Sequence, residues 1–521
     1  MKPKILSTNN FRQNLAQLGT AFLAVLLCLT AVWIFEKDIA GYTADIPYPL
    51  EDYVANYDPY VQQFDAWKKG QNHIDWDAEP GLAELDNVYD YAERTASGLY
   101  YLWDRAYYDG KFYSYFGISP ILTVYEPYYA IHGALPGTGT VMGIFAMLAA
   151  IFMPLSLFAW ARVFAPKTPH WILLLAGPSI FWGSLVMLIA RGYTPFYYVA
   201  CAAALAFLSM FVFFAIVAYG QRKQWARFIL YAVAGICFGL LFQARVITAI
   251  AAALLVLPGL WFFIIGRKRP QNGLKKWGTV LSELCALGLP VLLFFTGSCI
   301  FNALRFSGPF DFGNNYNLTV ADISTYRFRL SDFPYAMFHY WFDLPSESEV
   351  YPFLSFSYVR FSDYGHYLYR DAGLGLFAVP LAAAVFASPA IIFSPKYSAR
   401  RRVFCACALF AVLFIPLCDF GLGGVIYRYV GDFSYIAVLF GAIVLLSLCE
   451  RFRSFAGPGR TVLTVLLYLA VAAFFVFSSV QSVRLFLIND NGNIVLYAEE
   501  IADALRKWLP FPAPEGLSVS G

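Results

Sequence analysis

Eleven apolar runs, most near the length that crosses a bilayer, leave this chain few folds to choose from. They fall at 15–35, 138–163, 171–190, 194–219, 228–246, 247–265, 278–303, 373–394, 403–418, 433–449 and 461–486. Inside hydrocarbon every backbone amide and carbonyl must be paired within its own segment, so such runs form helices. The expected fold class is an all-α polytopic membrane protein with about 11 transmembrane helices and two large extracytoplasmic loops. Composition agrees: 59% of the 521 residues are hydrophobic and 14% charged, against about 25% charged in soluble domains.

Positive connections set the direction. Met1–Lys4, Arg162–Lys167, Arg222–Arg227, Arg267–Lys276, Lys396–Arg402 and Arg451–Arg460 are the basic ones, and the positive-inside rule places them in the cytoplasm. Alternation puts 36–137, 191–193, the 244–247 corner, 304–372, 419–432 and the tail on the outer side. The predicted organisation is a cytoplasmic N-terminus at 1–14, a first span at 15–35, and an outer loop at 36–137. Spans two to seven occupy 138–303, the second outer loop 304–372, spans eight to eleven 373–486, and an outer tail 487–521. No small-residue cleavage site follows the first run, which reads as an uncleaved anchor. Gly117–Gly133 is apolar but carries Pro120, Glu126 and Pro127; counted as a span it would reverse several basic loops. It is predicted to be an interfacial or re-entrant helix. An amphipathic stretch, Ile494 to Trp508, follows the last span.

A net charge of +3 without basic–aromatic tracts excludes nucleic acid as a partner. The five histidines form no pair at ligand spacing, and the nine cysteines offer neither a zinc nor a disulfide framework. Asp75-Trp76-Asp77 has a spacing that some glycosyltransferases use for a divalent metal, but so short a pattern arises readily by chance. No metal ligands are assigned, and a divalent cation stays open as a cofactor. Neither a Gly-x-Ser-x-Gly turn nor a phosphate-cradling glycine loop is present.

Chemistry is expected in the outer loops. Asp58 opens Asp58-Pro59-Tyr60…Trp67, a helix with Asp58 as its N-cap and Asp65 two turns on. Tyr60, Phe64 and Trp67 share one face, suited to lying on the membrane. Asp58 could act there as a general base for a hydroxyl acceptor, although capping alone would also explain it. Asp109-Gly110 between aromatic stretches predicts a two-residue hairpin, which reads either as a Tyr-rich hairpin resting on headgroups or as an aromatic wall for a sugar, with Tyr113 and Tyr115 in the wall and Asp104 and Lys111 directed into it. Arg191, Arg245, Arg305 and Arg428 stand at outer span ends, where charge is costly; converging guanidinium groups there would hold a lipid phosphate. Snorkelling to headgroups accounts as well for Arg191 and Arg305.

The layout, with Tyr57-Asp58-Pro59-Tyr60, Asn87-Val88-Tyr89-Asp90…Arg94, Tyr107 to Gly117 and Arg305 to Gly313, resembles the GT-C class of membrane glycosyltransferases. The likeness is to bacterial relatives of the protein O-mannosyltransferases and the aminoarabinose transferase of lipid A. It implies an inner-membrane enzyme with an extracytoplasmic site, taking a hexosyl or pentosyl group from a polyprenyl-phosphate donor, with inversion, to a glycan, lipid or protein acceptor. By the same resemblance Asp58 is the catalytic base and Asp104 a candidate second acid. Substrate contacts would come from Asp65, Arg94, Lys111, Tyr113, Tyr115, Arg191, Arg245 and Arg428, beside membrane lipid. The chain departs from the aminoarabinose transferase at Gly117-Ile118-Ser119-Pro120, where that family has Glu-Lys-Pro-Pro. The competing readings are a transporter or lipid flippase, which would want ionisable groups facing each other mid-span, and a polysaccharide polymerase or ligase, which usually places its large loop late.

Overall fold

The computed structural model describes residues 8–39, 44–50, 58–191, 195–269, 273–320, 322–325, 329–349, 352–356, 374–452 and 460–488. The amphipathic stretch predicted in the tail lies outside them. Ten helical stretches of the described chain are long and apolar enough to cross a membrane. In chain order the helices are α1 (Thr8–Ile34), α2 (Pro59–Lys68), α3 (Tyr91–Ser97), α4 (Glu126–His132), α5 (Thr138–Phe164), α6 (His170–Gly183), α7 (Val186–Ala190), α8 (Pro195–Gly220), α9 (Gln224–Ala244), α10 (Val246–Gly259), α11 (Gly273–Ala303), α12 (Phe333–Phe342), α13 (Pro380–Ala383), α14 (Pro389–Ile392), α15 (Ala399–Gly423), α16 (Gly431–Phe452) and α17 (Arg460–Leu487). Strands are few and short: β1 (Ala106–Tyr108) pairs with β2 (Lys111–Tyr113), and Ser346–Glu347 pairs with Leu354–Ser355.

Packing sorts the helices into centre and rim. The apolar window of α16 is 89% buried, whereas that of α11 is 17% buried and turns Leu289, Leu292 and Leu293 outward. A helix apolar all round yet exposed is one solvated by lipid. Close backbone approach holds the rim helices: a side chain at Gly235 of α9 would collide with the Leu287 carbonyl of α11.

The run at 373–394 is not the continuous span expected. It is broken into a 3₁₀ turn at Leu376–Ala378, α13, a second 3₁₀ turn at Ala384–Ala387, and α14. Pro380 and Pro389 each open a short helix, because proline lacks the N–H that an ongoing helix needs and clashes with the preceding turn. Gly117–Gly133 does fold short: Pro120 leads into a π-turn at Ile121–Tyr125 and then α4, with Lys68 of α2 paired to Glu126 at 2.7 Å.

The bundle has two chemically different ends. Arg162 and Lys167, Arg222 to Arg227, Arg267 to Arg269, Lys396 to Arg402 and Arg451 mark the basic end; the described parts of the two long loops and the α9–α10 and α15–α16 corners form the loop end.

Candidate functional site

Asp58 caps α2 as its sequence predicts, accepting the Tyr60 amide at 2.8 Å. Its other oxygen accepts from Thr138 Oγ1 at 2.8 Å and from the Tyr125 hydroxyl at 3.3 Å. The carboxylate sits in a crevice, partly exposed, and burial raises its pKa above the ordinary carboxylate value despite the hydrogen bonds to Thr138 and Tyr60 that pull it down. The face of α2 expected to lie on the membrane is packed inside the protein. Tyr60 and Phe64 are fully buried against Phe116, Tyr125 and Tyr129, and Trp67 meets Phe301. The aromatic stripe is core because the second half of the loop folds over it.

Asp109 and Gly110, both with positive φ, make the hairpin turn between β1 and β2. At the foot of the hairpin, Asp104 also adopts a left-handed backbone and is buried. It accepts hydrogen bonds from Tyr197 of α8, from Asn317 Nδ2 of the second loop at 2.8 Å, and from the Tyr115 hydroxyl at 3.4 Å. One carboxylate thus ties the first loop, the second loop and the bundle together.

Between these loops and the corners of the bundle lies a cavity of about 830 Å³. Tyr115, Phe116 and Tyr197 form one wall, and residues from Ser307 to Asn315 of the second loop form another. No predicted site residue lies in 307–315, so its role as a wall is new. Three arginines line the cavity. Arg245, at the α9–α10 corner, grips Asp432 of α16 at 2.5 and 2.7 Å and lies 3.9 Å from Asp419 of α15. Arg305 is buried and donates to the Ser114 carbonyl at 2.5 Å and to Asn302 Oδ1 at 3.0 Å, with burial drawing its pKa down to about 9. Arg428 faces the rings of Tyr197, Tyr198 and Tyr429 at 5.2, 5.6 and 5.3 Å, and no carboxylate pairs with it among the described residues. Asp311 and Asp419 are the acids that line the cavity. Asp311 is committed to Gly313, Ser307 and Tyr316, which hold its pKa low against the effect of burial.

The predicted residues therefore divide. Arg245, Arg428 and Tyr115 line one cavity, and Asp104 holds two of its tyrosines. Asp58 does not line it but stands one aromatic layer away, behind Tyr60 and Phe116. Asp65 is buried under α2 between Tyr48 at 3.2 Å and Lys69 at 2.9 Å. Arg94 is fully buried, donating to the Val88 and Thr319 carbonyls and so lacing the two loops together. Lys111 is exposed on the far side of the hairpin, and Tyr113 is buried against Phe306. Arg191 lies apart, clamping the Phe486 and Ile488 carbonyls at the end of α17. Sequence reasoning missed Asp419 and Asp432. Their signal was an acid at the very edge of an apolar run, where only a partner makes it affordable.

Fold and site together define a polytopic helical membrane protein with a basic, aromatic-walled cavity at one end. No family model matches the chain, and no curated protein matches it. Among solved structures it is similar to the apo oligosaccharyltransferase of Archaeoglobus fulgidus, at a TM-score of 0.44 and 12% identity over 98% of this chain and 61% of that one. The chain spans about three fifths of that protein's length.

Proposed function

We propose that the protein is a GT-C-type membrane glycosyltransferase that moves a sugar from a polyprenyl-phosphate donor to a hydroxyl-bearing acceptor outside the cytoplasm. The observation that carries this reading is Arg428: a guanidinium at the loop-end cavity, set among three tyrosine rings and with no carboxylate partner among the described residues. A charge so placed is costly alone and favourable once an anion joins it. Arg428 and Arg305 hold the donor phosphate, while Arg245, already neutralised by Asp432, fixes the corner between them. Gln243 and Asn302, which also line the cavity, supply hydrogen bonds for sugar hydroxyls.

Asp58 stands one aromatic layer from the cavity, so the acceptor approaches from its side, past Tyr60 and Phe116, and Asp58 accepts the proton as the acceptor oxygen forms its bond to the anomeric carbon. The bond from that carbon to the phosphate oxygen breaks, and the electron pair leaves on the phosphate, where the arginines stabilise it. Displacement from the opposite face inverts the anomeric centre. A carboxylate with a raised pKa is a stronger base than an ordinary one, which suits Asp58 to this task.

Transport is the less favoured reading. Arg245, Asp419 and Asp432 do face each other across the bundle, but at its loop end. Along α10, α15 and α16, no ionisable Asp, Glu, Lys or Arg stands between that cluster and the basic end, so no relay continues through the membrane.

Purified protein titrated with undecaprenyl phosphate tests the reading. Saturable binding is expected, weakened at least tenfold in Arg428→Ala; equal binding by both proteins overturns the phosphate site. Transfer from polyprenyl-phosphate sugars in membranes tests the base. If Asp58→Asn keeps full transfer and Asp419→Asn loses it, the role passes to Asp419.

A further inference from the structure

The basic end of the bundle holds two adjoining cavities that the proposed reaction does not use. The first, about 380 Å³, lies between α8, α10, α15 and α16 and is walled by Phe211, Ile216, Leu255, Phe404 and Leu439. It lies towards the far end of α10 from the glycosyl-transfer cavity and along the first half of α16: Val246 and Tyr429 line one cavity, Leu255 to Ile264 and Tyr435 to Ile443 the other. Its floor is widened where α10 runs into a π-turn at Leu260–Ile265, a departure from α-helix common at binding sites.

The second cavity, about 690 Å³, is half polar and half apolar in its lining and contains Arg162, Arg267, Lys268 and Arg400. Arg400 lines both cavities. No Asp or Glu lines either one among the described residues. Tyr219 forms the partition. Its ring lies 5.5 Å from Phe164 and 4.4 Å from Phe263 on the apolar side, and Arg267 and Arg400 sit over it at 5.2 and 5.6 Å.

The cations differ in what holds them. Arg267 is fixed by donating to the Tyr219 and Gln221 carbonyls at 2.6 and 2.8 Å, and Arg400 donates to the Tyr219 hydroxyl. Arg162 and Lys268 are exposed and have no ion pair among the described residues. Two positioned cations, two unpaired ones and an apolar cavity behind a single aromatic ring match one kind of molecule. A soluble phosphate would leave the apolar cavity unfilled, and a zwitterionic lipid would bring a positive headgroup among four cations, where the nearby acids, Glu283 and Glu450, are already taken by Arg227, Arg269 and Arg401.

We propose that these paired cavities bind an anionic phospholipid. Its phosphodiester lies among Arg162, Arg267, Lys268 and Arg400, and an acyl chain fills the cavity behind Tyr219. The site is independent of the glycosyl-transfer reading and stands whether or not that reading does.

The test uses full-length protein, delipidated in neutral detergent and titrated with phosphatidylglycerol, with phosphatidylcholine of the same chains, and with inorganic phosphate. Bound lipid is counted by native mass spectrometry and the melting temperature followed in parallel. Phosphatidylglycerol is expected to bind and raise the melting temperature, while phosphatidylcholine and inorganic phosphate do neither. Arg162→Ala with Lys268→Ala removes two surface cations without touching a packed group and should weaken phosphatidylglycerol binding roughly tenfold or more. Ala215→Phe, which fills the apolar cavity, should weaken it with every cation in place. Equal binding of the two lipids, an unchanged titration in the double variant, or the same melting shift from inorganic phosphate would each overturn the proposal. If Ala215→Phe fails to fold, the double variant still decides.

Discussion

The molecule buries a charge cluster at each end, and the two are built on opposite principles. At the basic end Glu283 of α11 is fully buried, and each of its oxygens meets a guanidinium at 2.7 Å, Arg227 on one side and Arg269 on the other. Both oxygens of that acid are taken, although Arg269 Nε has no hydrogen-bond partner among the described residues. At the loop end Arg245 takes both oxygens of Asp432, yet among the described residues Asp419 Oδ2 has no hydrogen-bond donor and Arg428 no acid. A closed cluster fixes helices in place; an open one beside a cavity is matched to something that arrives from outside. The contrast teaches that buried charge alone does not mark a site. The unfilled valence does.

The largest effect expected is on transfer. Asp58→Asn should cut it by about 10² to 10⁴, the usual contribution of a general base, while donor binding persists. Next comes the closed cluster. Glu283→Ala leaves two arginines facing each other in the bundle and should cost about 3–5 kcal/mol of stability, read as a steep fall in melting temperature. Folded Glu283→Ala protein should still bind undecaprenyl phosphate normally; a large loss of binding would erase the distinction between the two ends. Arg428→Ala should reverse that pattern. Losing a charge-assisted contact worth about 1.5–3 kcal/mol weakens phosphate binding ten- to a hundredfold, with a smaller fall in melting temperature than Glu283→Ala, because it gives up the rings of Tyr197, Tyr198 and Tyr429 but leaves no buried charge stranded.

The smallest effect concerns pH. Burial raises the folded-state pKa of Asp58, so protonation of this group favours the folded protein. That contribution is complete below the unfolded value near 3.8 and is lost as pH rises through the folded one. Asn keeps a capping oxygen and never ionises. Asp58→Asn should therefore match the native protein at low pH and melt slightly higher at neutral pH, even as transfer is lost. A melting difference of the opposite sign at neutral pH would show that the ionised carboxylate is the favoured form.

The fold was largely legible, because a run such as Leu15–Ile34 has one stable arrangement in lipid. The exception at 373–394 shows the limit of counting apolar residues. Pro380 and Pro389 are as compatible with hydrocarbon as their neighbours but incompatible with an unbroken helix. Local signals were also readable: the Asp58 cap and the Asp109-Gly110 turn depend on a few adjacent residues. The site was legible only in part, since convergence is a property of tertiary packing. Arg191 and Arg428 have the same chemistry and the same kind of position in sequence, yet one clamps the end of α17 and the other faces the cavity. The membrane face proposed for Tyr60 and Phe64 failed for the same reason, because an aromatic stripe does not say which surface will cover it.

Gly117 carries one more consequence. At the corner just before Arg245, a side chain at this glycine would collide with the Gln243 and Ala244 carbonyls, so backbone rests on backbone. Loop and corner cannot slide past each other and must travel as one body. On the other wall of the cavity Phe310 and Phe312 stand exposed beside Phe295 and Phe242 of the rim helices, held by ring contacts rather than by backbone resting on backbone.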